Sequence, residues 1–230
     1  MKIELHSHSS EISPCGHLTV DELTSLYRDA GYDALVLTNH FNTIVGDIVI
    51  RRYGNPDYHR AYFDCIAAAR EAGERKGLLV LPGHELRFDC NANDYLVFGM
   101  SEEMCRDWRT LCAMTEEEFG SFARKRGILF YQAHPFRNGM TVVDPGCLFG
   151  IEVVNSHPRH ENRNPIAAAW AKMHRLHGIA GSDCHRPQDV GSSAILTDEP
   201  VRNIDDLVRV LKNDLYRIES REGVPSGSPA

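Results

Sequence analysis

The sequence lacks any apolar stretch close to the roughly 18 residues that a membrane-spanning helix requires. It also lacks an excess of positive charge: 25 Lys and Arg residues face 32 Asp and Glu residues, for a formal net charge of -7 over 230 residues. These two absences argue against a membrane protein and against broad electrostatic binding of nucleic acid or anionic lipid. We therefore expect a protein that acts on a small molecule.

Paired cysteine motifs and nucleophile motifs are also missing. The seven cysteines form no CxxC pair and no small-domain disulfide framework, which predicts reduced thiols and a cytoplasmic protein. The chain contains no glycine-rich phosphate loop and no G-x-S-x-G nucleophile elbow. Covalent serine catalysis is therefore not expected.

Short apolar segments of strand character alternate with segments of helical periodicity. The predicted strands are 3–6, 34–38, 78–81, 95–99, 128–131, 150–154, 179–182, 193–197 and 215–218. The predicted helices are a first one between Thr19 and Gly31, then 58–76, 102–114, 115–125, 164–177 and 204–212. This alternation predicts parallel βαβ units in one α/β domain over residues 1–220, built as a barrel or as an open doubly wound sheet. We expect a loop over 41–57, lying over the site or at the surface, and a disordered tail over 221–230.

Side chains that bind metal ions follow the carboxyl ends of these strands. They are His6 and His8 after the first strand, then His40, Glu85, His134, Asp183 and His185 after later ones. Because the carboxyl ends of parallel strands gather at one face, we expect these side chains to converge on a metal site. Imidazole and carboxylate ligands without cysteine suit zinc, manganese or iron better than magnesium or calcium. The number of ligands exceeds the need of one tetrahedral ion, which predicts more than one divalent ion, with a carboxylate such as Glu85 as a bridge.

Six segments carry a resemblance to a known family. The segments LHSHS, LTNH, LPGHE, QAHP, IEVVN and GSDCH lie in this order between residues 3 and 185 and together resemble the polymerase and histidinol phosphatase (PHP) family. The resemblance implies a distorted seven-stranded, TIM-like β/α barrel that binds up to three divalent metals and hydrolyses phosphoester bonds.

The resemblance also implies which residues share an ion. His6, His8, Glu85 and Asp183 would hold one ion, Glu85 and His134 a second, and His40 and His185 a third. The remaining ligand of the third ion stays open between His17, in the segment CGH, and Glu11. Leu96 stands where many family members have a histidine, which leaves Asp94 or water for the second ion, and Asn39 stands where the family commonly has aspartate.

The expected reaction is hydrolysis of a phosphomonoester of a small metabolite by a metal-activated hydroxide, as in histidinol phosphatases. The expected catalytic residues are Asp183, His185 and Glu85, with Asp183 accepting a proton from the nucleophilic water. Contacts to the substrate phosphate are expected from residues on loops after the strands, namely Arg87, Arg137, His157 and Arg159.

Two alternative functions are left open. The first is a phosphodiesterase or 3'-5' exonuclease acting on nucleotide ends, with a channel formed by Arg51, Arg52, Tyr53, Tyr58 and Arg60. The second is a regulatory domain that binds metal without turnover.

Overall fold

A computed structural model describes residues 1–54, 57–221 and 223, apart from the side chain of Tyr53. The strands in this part of the chain are Lys2–Glu4 (β1), Ala34–Leu37 (β2), His40–Phe41 (β3), Leu79–Pro82 (β4), His84–Leu86 (β5), Tyr95–Phe98 (β6), Leu129–Gln132 (β7), Gly150–Asn155 (β8), His177–Gly181 (β9), Ser193–Leu196 (β10) and Arg217–Ser220 (β11). The α-helices are Val20–Asp29 (α1), Thr43–Tyr53 (α2), Tyr58–Lys76 (α3), Trp108–Cys112 (α4), Glu116–Arg126 (α5), Asn164–His174 (α6) and Ile204–Lys212 (α7). Most of the predicted tail, 221–230, lies outside the described residues.

The strands form two sheets in the described residues. One sheet has the order β11-β10-β1-β2-β4 and the other has the order β3-β5-β6-β7-β8-β9. Five neighbouring pairs are parallel, but β1–β10, β10–β11, β5–β6 and β6–β7 are antiparallel. The fold is therefore mixed α/β, and the prediction of uniformly parallel units is correct only in part.

At two short connections the chain passes directly from a strand of the first sheet to a strand of the second. Strand β2 leads into β3 and strand β4 leads into β5, so that β3 and β5 pair in parallel with His40 and Glu85 as Cα partners. Gly83 lies at the second passage, where a Cβ atom would lie 2.7 Å from Val36 Cγ1 and 2.8 Å from Thr38 Cγ2. The absence of a side chain there allows the two segments to approach closely, which aligns His40 with Glu85.

One buried apolar cluster receives side chains from strands of both sheets. Ile3 and Val36 come from the first sheet, and Leu96 and Ile179 come from the second. The apolar face of α7 packs against the same cluster beside Met1, which lies at the amino end of β1. A second cluster lies between the strands and the remaining helices. The polar residues described below lie at the opposite, carboxyl end of β1.

Further contacts join the carboxyl ends of β1 and β9, which belong to different sheets. Ser7 and Cys184 form an isolated parallel bridge. Its hydrogen bonds run from His8 N to Cys184 O, 3.0 Å, and from Cys184 N to His6 O, 3.2 Å. These bonds hold the segment of His6 and His8 beside that of Asp183.

Three predicted elements are wrong in type or extent. The segment 41–57 contains strand β3 and helix α2 rather than a loop, because Asn42 accepts a hydrogen bond from Val45 N at the helix start and Val45 and Val49 pack one turn apart. In the segment 102–114 the α-helix covers only Trp108–Cys112. The segment 164–177 stops as a helix at His174, because Arg175 adopts a left-handed φ of 55°, and His177 begins β9.

Candidate metal centre

A cavity of about 490 Å³ opens at the carboxyl ends of the strands. It brings together many of the side chains predicted to bind metal or substrate. Its lining residues are Cys15, His17, His40, Glu85, Arg87, Asp94, His134, Arg137, Asn138, Met140, His157, Arg159, His160, Asp183, His185 and Arg186. His6 and His8 are fully buried beneath it.

The donor atoms of His6, His8, Glu85 and Asp183 lie at the spacing expected of ligands to one ion. His6 Nε2 lies 3.1 Å from Glu85 Oε1 and 3.5 Å from Asp183 Oδ1. His8 Nε2 lies 3.4 Å from Glu85 Oε2 and 3.3 Å from Asp183 Oδ1. Metal–ligand bonds of about 2.0–2.1 Å in a tetrahedron separate neighbouring donor atoms by about 3.4 Å. Both Nε2 atoms are buried and have no hydrogen-bond partner, so these residues fit a divalent cation.

Glu85 also contacts the histidines that follow two other strands. His134 Nε2 lies 3.2 Å from Glu85 Oε1, and His40 Nδ1 lies 2.6 Å from Glu85 Oε2. Asp94 Oδ2 lies 4.0 Å from His134 Nε2 and can join this group. Leu96 is buried in the apolar interior opposite Glu85, where it contributes no donor atom.

Cys15 lies where the open ligand of the third predicted group was expected. Its sulfur is 3.2 Å from both His40 Nε2 and His185 Nε2. Burial alone would raise the pKa of the Cys15 thiol, but the hydrogen bonds with the two imidazoles outweigh it and lower that pKa to about 6. The expectation of a ligand set without cysteine overlooked this residue, because a single Cys in a loop carries no motif.

The two earlier candidates for that position are placed elsewhere. Glu11 accepts a hydrogen bond from Val20 N, 2.9 Å, at the start of α1. His17 is exposed at the cavity rim, and its backbone N–H bonds to His185 O, 2.9 Å. Neither side chain belongs to a group of converging metal-binding atoms in the described part of the chain.

Glu152, which was not among the predicted site residues, orients two of the histidines. Its Oε1 atom lies 2.9 Å from His6 Nδ1, while Oε2 accepts hydrogen bonds of 2.9 Å from His134 N and from Asn155 Nδ2. Because a carboxylate only accepts, Nδ1 of His6 carries a proton, and Nε2 is the atom presented to Glu85. The sequence carries one signal for this role, because Glu152 is an acidic residue within the apolar segment predicted as the strand 150–154.

A second set of polar contacts orients His8 and His40. Ser13 Oγ donates to Asn39 Oδ1, 2.8 Å, and therefore accepts from His40 N, 3.1 Å, and from His8 Nδ1, 3.2 Å. The Nε2 atom of His8 is thereby directed to the carboxylates. Asn39, at the position where the family commonly has aspartate, acts on His8 through Ser13.

The buried charges in the cluster balance one another. Burial opposes protonation of His6, but the carboxylates of Asp183 and Glu152 outweigh burial and raise the pKa of His6 well above its usual value. Burial instead lowers the pKa of His8 well below its usual value, and neighbouring imidazoles add to this effect. The imidazoles around Glu85 outweigh its burial and hold its pKa well below the usual range. Protons on imidazoles thus supply positive charge that a divalent cation would supply when bound.

Two of the converging residues have unusual backbone conformations. His134 has a φ of 29° and Asp183 a φ of 52°, both in the left-handed region that is uncommon for residues other than glycine. Such conformations persist only where the surrounding structure holds them, and they cluster at functional sites.

The three predicted phosphate-binding arginines are each paired with a carboxylate at the cavity. Arg137 donates to Asp183 Oδ2, 2.7 Å, and Arg87 and Arg159 form two-point pairs with Asp94 and Asp189. His157 packs against the same rim, with its ring centroid 5.2 Å from that of His185.

The residues predicted to form a nucleic-acid channel differ in exposure. Tyr58 is fully buried and donates a hydrogen bond to His40 O, 2.6 Å, so it offers no stacking face. Arg51, Arg52 and Arg60 lie exposed on α2 and α3, and the side chain of Tyr53 lies outside the described residues. Among the described residues, no helix combines the length and the apolar character needed to cross a bilayer.

Known structures share this fold. A two-domain protein from Bacteroides vulgatus that contains a predicted PHP-like metal-dependent phosphoesterase aligns with a TM-score of 0.69 and 22% identity over 96% of this chain. The chain spans only 65% of that protein. An amidohydrolase from Chromobacterium violaceum, with bound sulfate and no metal, aligns with a TM-score of 0.56 and 18% identity over 96% of this chain and 98% of the other. The lesion-specific endonuclease Q of Pyrococcus furiosus aligns with a TM-score of 0.59 and 12% identity over 94% of this chain and 57% of the other.

At these identities the similarity establishes a common fold. No curated protein matches the chain. Residues 161–214, which include α6, β9 and α7, match the family model described as PHP-associated. The chain is thus similar to the PHP-associated family model over residues 161–214, and it shares its fold with a protein that contains a predicted PHP-like metal-dependent phosphoesterase.

Proposed function

We propose that the protein is a metal-dependent phosphoesterase and that its substrate is a phosphomonoester of a small metabolite. The observation that carries the proposal is the convergence of buried imidazole nitrogens without hydrogen-bond partners on Glu85 and Asp183 at one cavity. The cavity volume of about 490 Å³ lies in the range of roughly 300–1,000 Å³ that is common for small-molecule sites. The net charge of -7 also favours a small substrate over an extended polyanion.

The fold supports this assignment of the site. We infer that the two sheets are arcs of one distorted seven-stranded barrel, since they share an apolar interior. The passages between β2 and β3 and between β4 and β5 join them on one side, and the Ser7–Cys184 bridge joins them on the other. In such barrels, active sites lie at the carboxyl ends of the strands.

The donor distances support three groups of ligands. His6, His8, Glu85 and Asp183 would hold one ion, and Glu85 with His134 would hold a second. His40 and His185 would hold a third. Divalent ions such as zinc, manganese or iron, when bound, would supply a nucleophilic hydroxide at neutral pH and neutralise charge on the leaving oxygen.

The protein's own side chains would position the reacting groups. Arg137 bonds to Oδ2 of Asp183 and leaves Oδ1 facing His6 and His8, so one carboxylate oxygen is held while the other stays at the cluster. In this role Asp183 would accept a proton from water at the cavity base. A guanidinium carries five N–H donors, so Arg137 and Arg159 keep donors for a phosphate beyond those used by their carboxylate partners. Arg87 and His157 line the same cavity and would add to that contact.

The test is phosphate release by zinc-, manganese- or iron-loaded protein from a broad panel of phosphomonoesters. We expect turnover by the wild type and by the control variant Asp29→Asn, whose changed side chain is exposed at the end of α1. Asp183→Asn is expected to lower kcat by about 100-fold or more, the range of a proton acceptor. The proposal is wrong if no phosphomonoester is hydrolysed, or if Asp183→Asn turns over as the wild type does. Metal binding without turnover would identify a regulatory domain.

Cleavage of phosphodiesters at nucleotide ends is the second candidate function. The fold similarity to the lesion-specific endonuclease Q favours it. Oligonucleotides in the same substrate panel distinguish the two functions. Cleavage of oligonucleotides that falls steeply with salt would favour the second candidate, because binding to a polyanion releases counterions.

A further inference from the structure

Cys15 lies in a position that the phosphoesterase proposal leaves unused. Its sulfur is equidistant, at 3.2 Å, from Nε2 of His40 and Nε2 of His185. In a tetrahedral zinc site with a sulfur bond of about 2.3 Å and nitrogen bonds of about 2.0–2.1 Å, the sulfur and nitrogen atoms would be separated by about 3.5 Å. Both sulfur–nitrogen distances are thus within a few tenths of an ångström of those in such a site.

The protonation of His185 points to the same arrangement. Its Nδ1 atom lies 2.7 Å from Asp183 O, and because a carbonyl oxygen only accepts, Nδ1 carries the proton. In the neutral ring, the lone pair of Nε2 therefore faces Cys15. That is the tautomer required of an imidazole that binds a metal through Nε2.

A buried side chain without a partner is aimed at the same place. One ring nitrogen each of His8, His40 and His185 lie within 4.8 Å of one another. His8 is fully buried, and its Nε2 atom has no hydrogen-bond partner. The hydrogen bonds of the thiol do not engage this nitrogen, and a cation at His40 and His185 would lie beside the ion that His8 would share with Glu85 and Asp183.

We propose that Cys15 is a thiolate ligand of the ion held by His40 and His185, in place of the Glu11 or His17 ligand expected from the sequence. On binding, the thiol releases its proton to solvent and the sulfur lone pair forms the metal bond. The inference rests on the proposed metal centre but not on the phosphoester chemistry. A thiolate ligand selects zinc, iron or cobalt over manganese and magnesium, so this position of the centre differs in metal preference from the carboxylate-rich positions.

Cobalt-substituted protein gives the test, because sulfur-to-cobalt charge transfer absorbs in the near ultraviolet. The wild type and the matched control Cys90→Ser, which changes another exposed cysteine, are expected to show this band. Cys15→Ser is expected to lose it. Cys15→His is expected to lose the band but to retain the cobalt content of the wild type, because imidazole replaces the sulfur ligand. In the zinc form, X-ray absorption is expected to show a sulfur shell at about 2.3 Å that is absent from Cys15→Ser.

Alkylation of the unmodified protein provides a measurement that needs no variant. Iodoacetamide labelling, read by peptide mass spectrometry, is expected to slow at Cys15 but not at Cys90 when cobalt is added. The proposal is wrong if metal-loaded wild type lacks the band, if Cys15→Ser retains it, or if cobalt leaves Cys15 labelling unchanged. Protein that binds no metal at all would overturn both this inference and the phosphoesterase proposal, whereas cobalt binding without a sulfur band would overturn this inference alone.

Discussion

Replacing Glu152 with glutamine is expected to weaken metal binding by about 10- to 100-fold while leaving the protein folded. Glu152 is buried and does not itself face the cavity. Its two oxygens lie 2.9 Å from three groups, namely His6 Nδ1, His134 N and Asn155 Nδ2. All three are donors, so the side chain must present acceptors only, and a glutamine amide cannot do so.

The glutamine has one orientation that avoids the worst conflict. Its oxygen must face His134 N and Asn155 Nδ2, since the Asn155 amide is held in place by a 2.9 Å hydrogen bond from Arg137 to its oxygen. The new NH₂ group then points at His6 Nδ1, which becomes an acceptor and moves the ring proton to Nε2. Nε2 is the atom that faces Glu85 and Asp183, so metal must displace a proton there. A loss of 10- to 100-fold in affinity corresponds to about 1.4–2.7 kcal/mol.

The assay is competition for zinc between the protein and a chromophoric chelator at pH 7. The matched control is Glu117→Gln, which makes the same chemical change at an exposed position in the first turn of α5. Circular dichroism checks that the variant is folded. Unaltered zinc affinity in folded Glu152→Gln would show that the carboxylate does not set the tautomer of His6, and the reasoning would fail.

Three further changes have expected outcomes. Gly181→Ala places a Cβ atom against His6 Cβ and 2.7 Å from Glu152 Oε1. Urea unfolding should therefore show that the free energy of unfolding falls by about 1–3 kcal/mol, and chelator competition should show a lower zinc affinity. A zinc affinity equal to that of the wild type would contradict this. Thr115→Ala removes the capping box with Glu118, so the free energy of unfolding should fall by about 1 kcal/mol with unchanged zinc affinity, because α5 does not line the cavity. Removal of the metal should lower the midpoint temperature of thermal unfolding. Zinc at 100 times its Kd should raise the free energy of unfolding by about 2.7 kcal/mol. A midpoint that does not respond to zinc would exclude a zinc site in the folded protein.

Local patterns predicted most of the secondary structure. The exact bounds of α3 and α7 follow from helical periodicity together with local signals, which for α3 are Asp57 at its start and Gly77 after its end. The placement of histidines and acids at strand ends follows from the same local patterns. The structure brings His40, His134 and Asp183 to one cavity, with His6 buried beneath it. These features are local or depend on the general rule that the carboxyl ends of parallel strands gather at one face. They can therefore be predicted from a single sequence.

Helix α2 and the strands β3 and β5 depended on longer-range contacts. Val45 and Val49 are part of the buried core beside α3, and this packing overrides the weak helix propensity of a segment rich in β-branched residues. The pairing of β3 with β5 exists only because the chain crosses between sheets near Gly83.

By itself, the sequence determined the alternation of strands and helices and the placement of imidazoles and carboxylates after the strands, because both follow from residue type and spacing along the chain. Only the tertiary structure decided which loop residue lies beside His40 and His185. The loop between β1 and α1 is folded by hydrogen bonds such as Ser10 N to Leu18 O, and its position against the segment after β9 places Cys15, rather than Glu11 or His17, between the two imidazoles. That contact joins residues 170 positions apart, and no local periodicity encodes a distance of that kind.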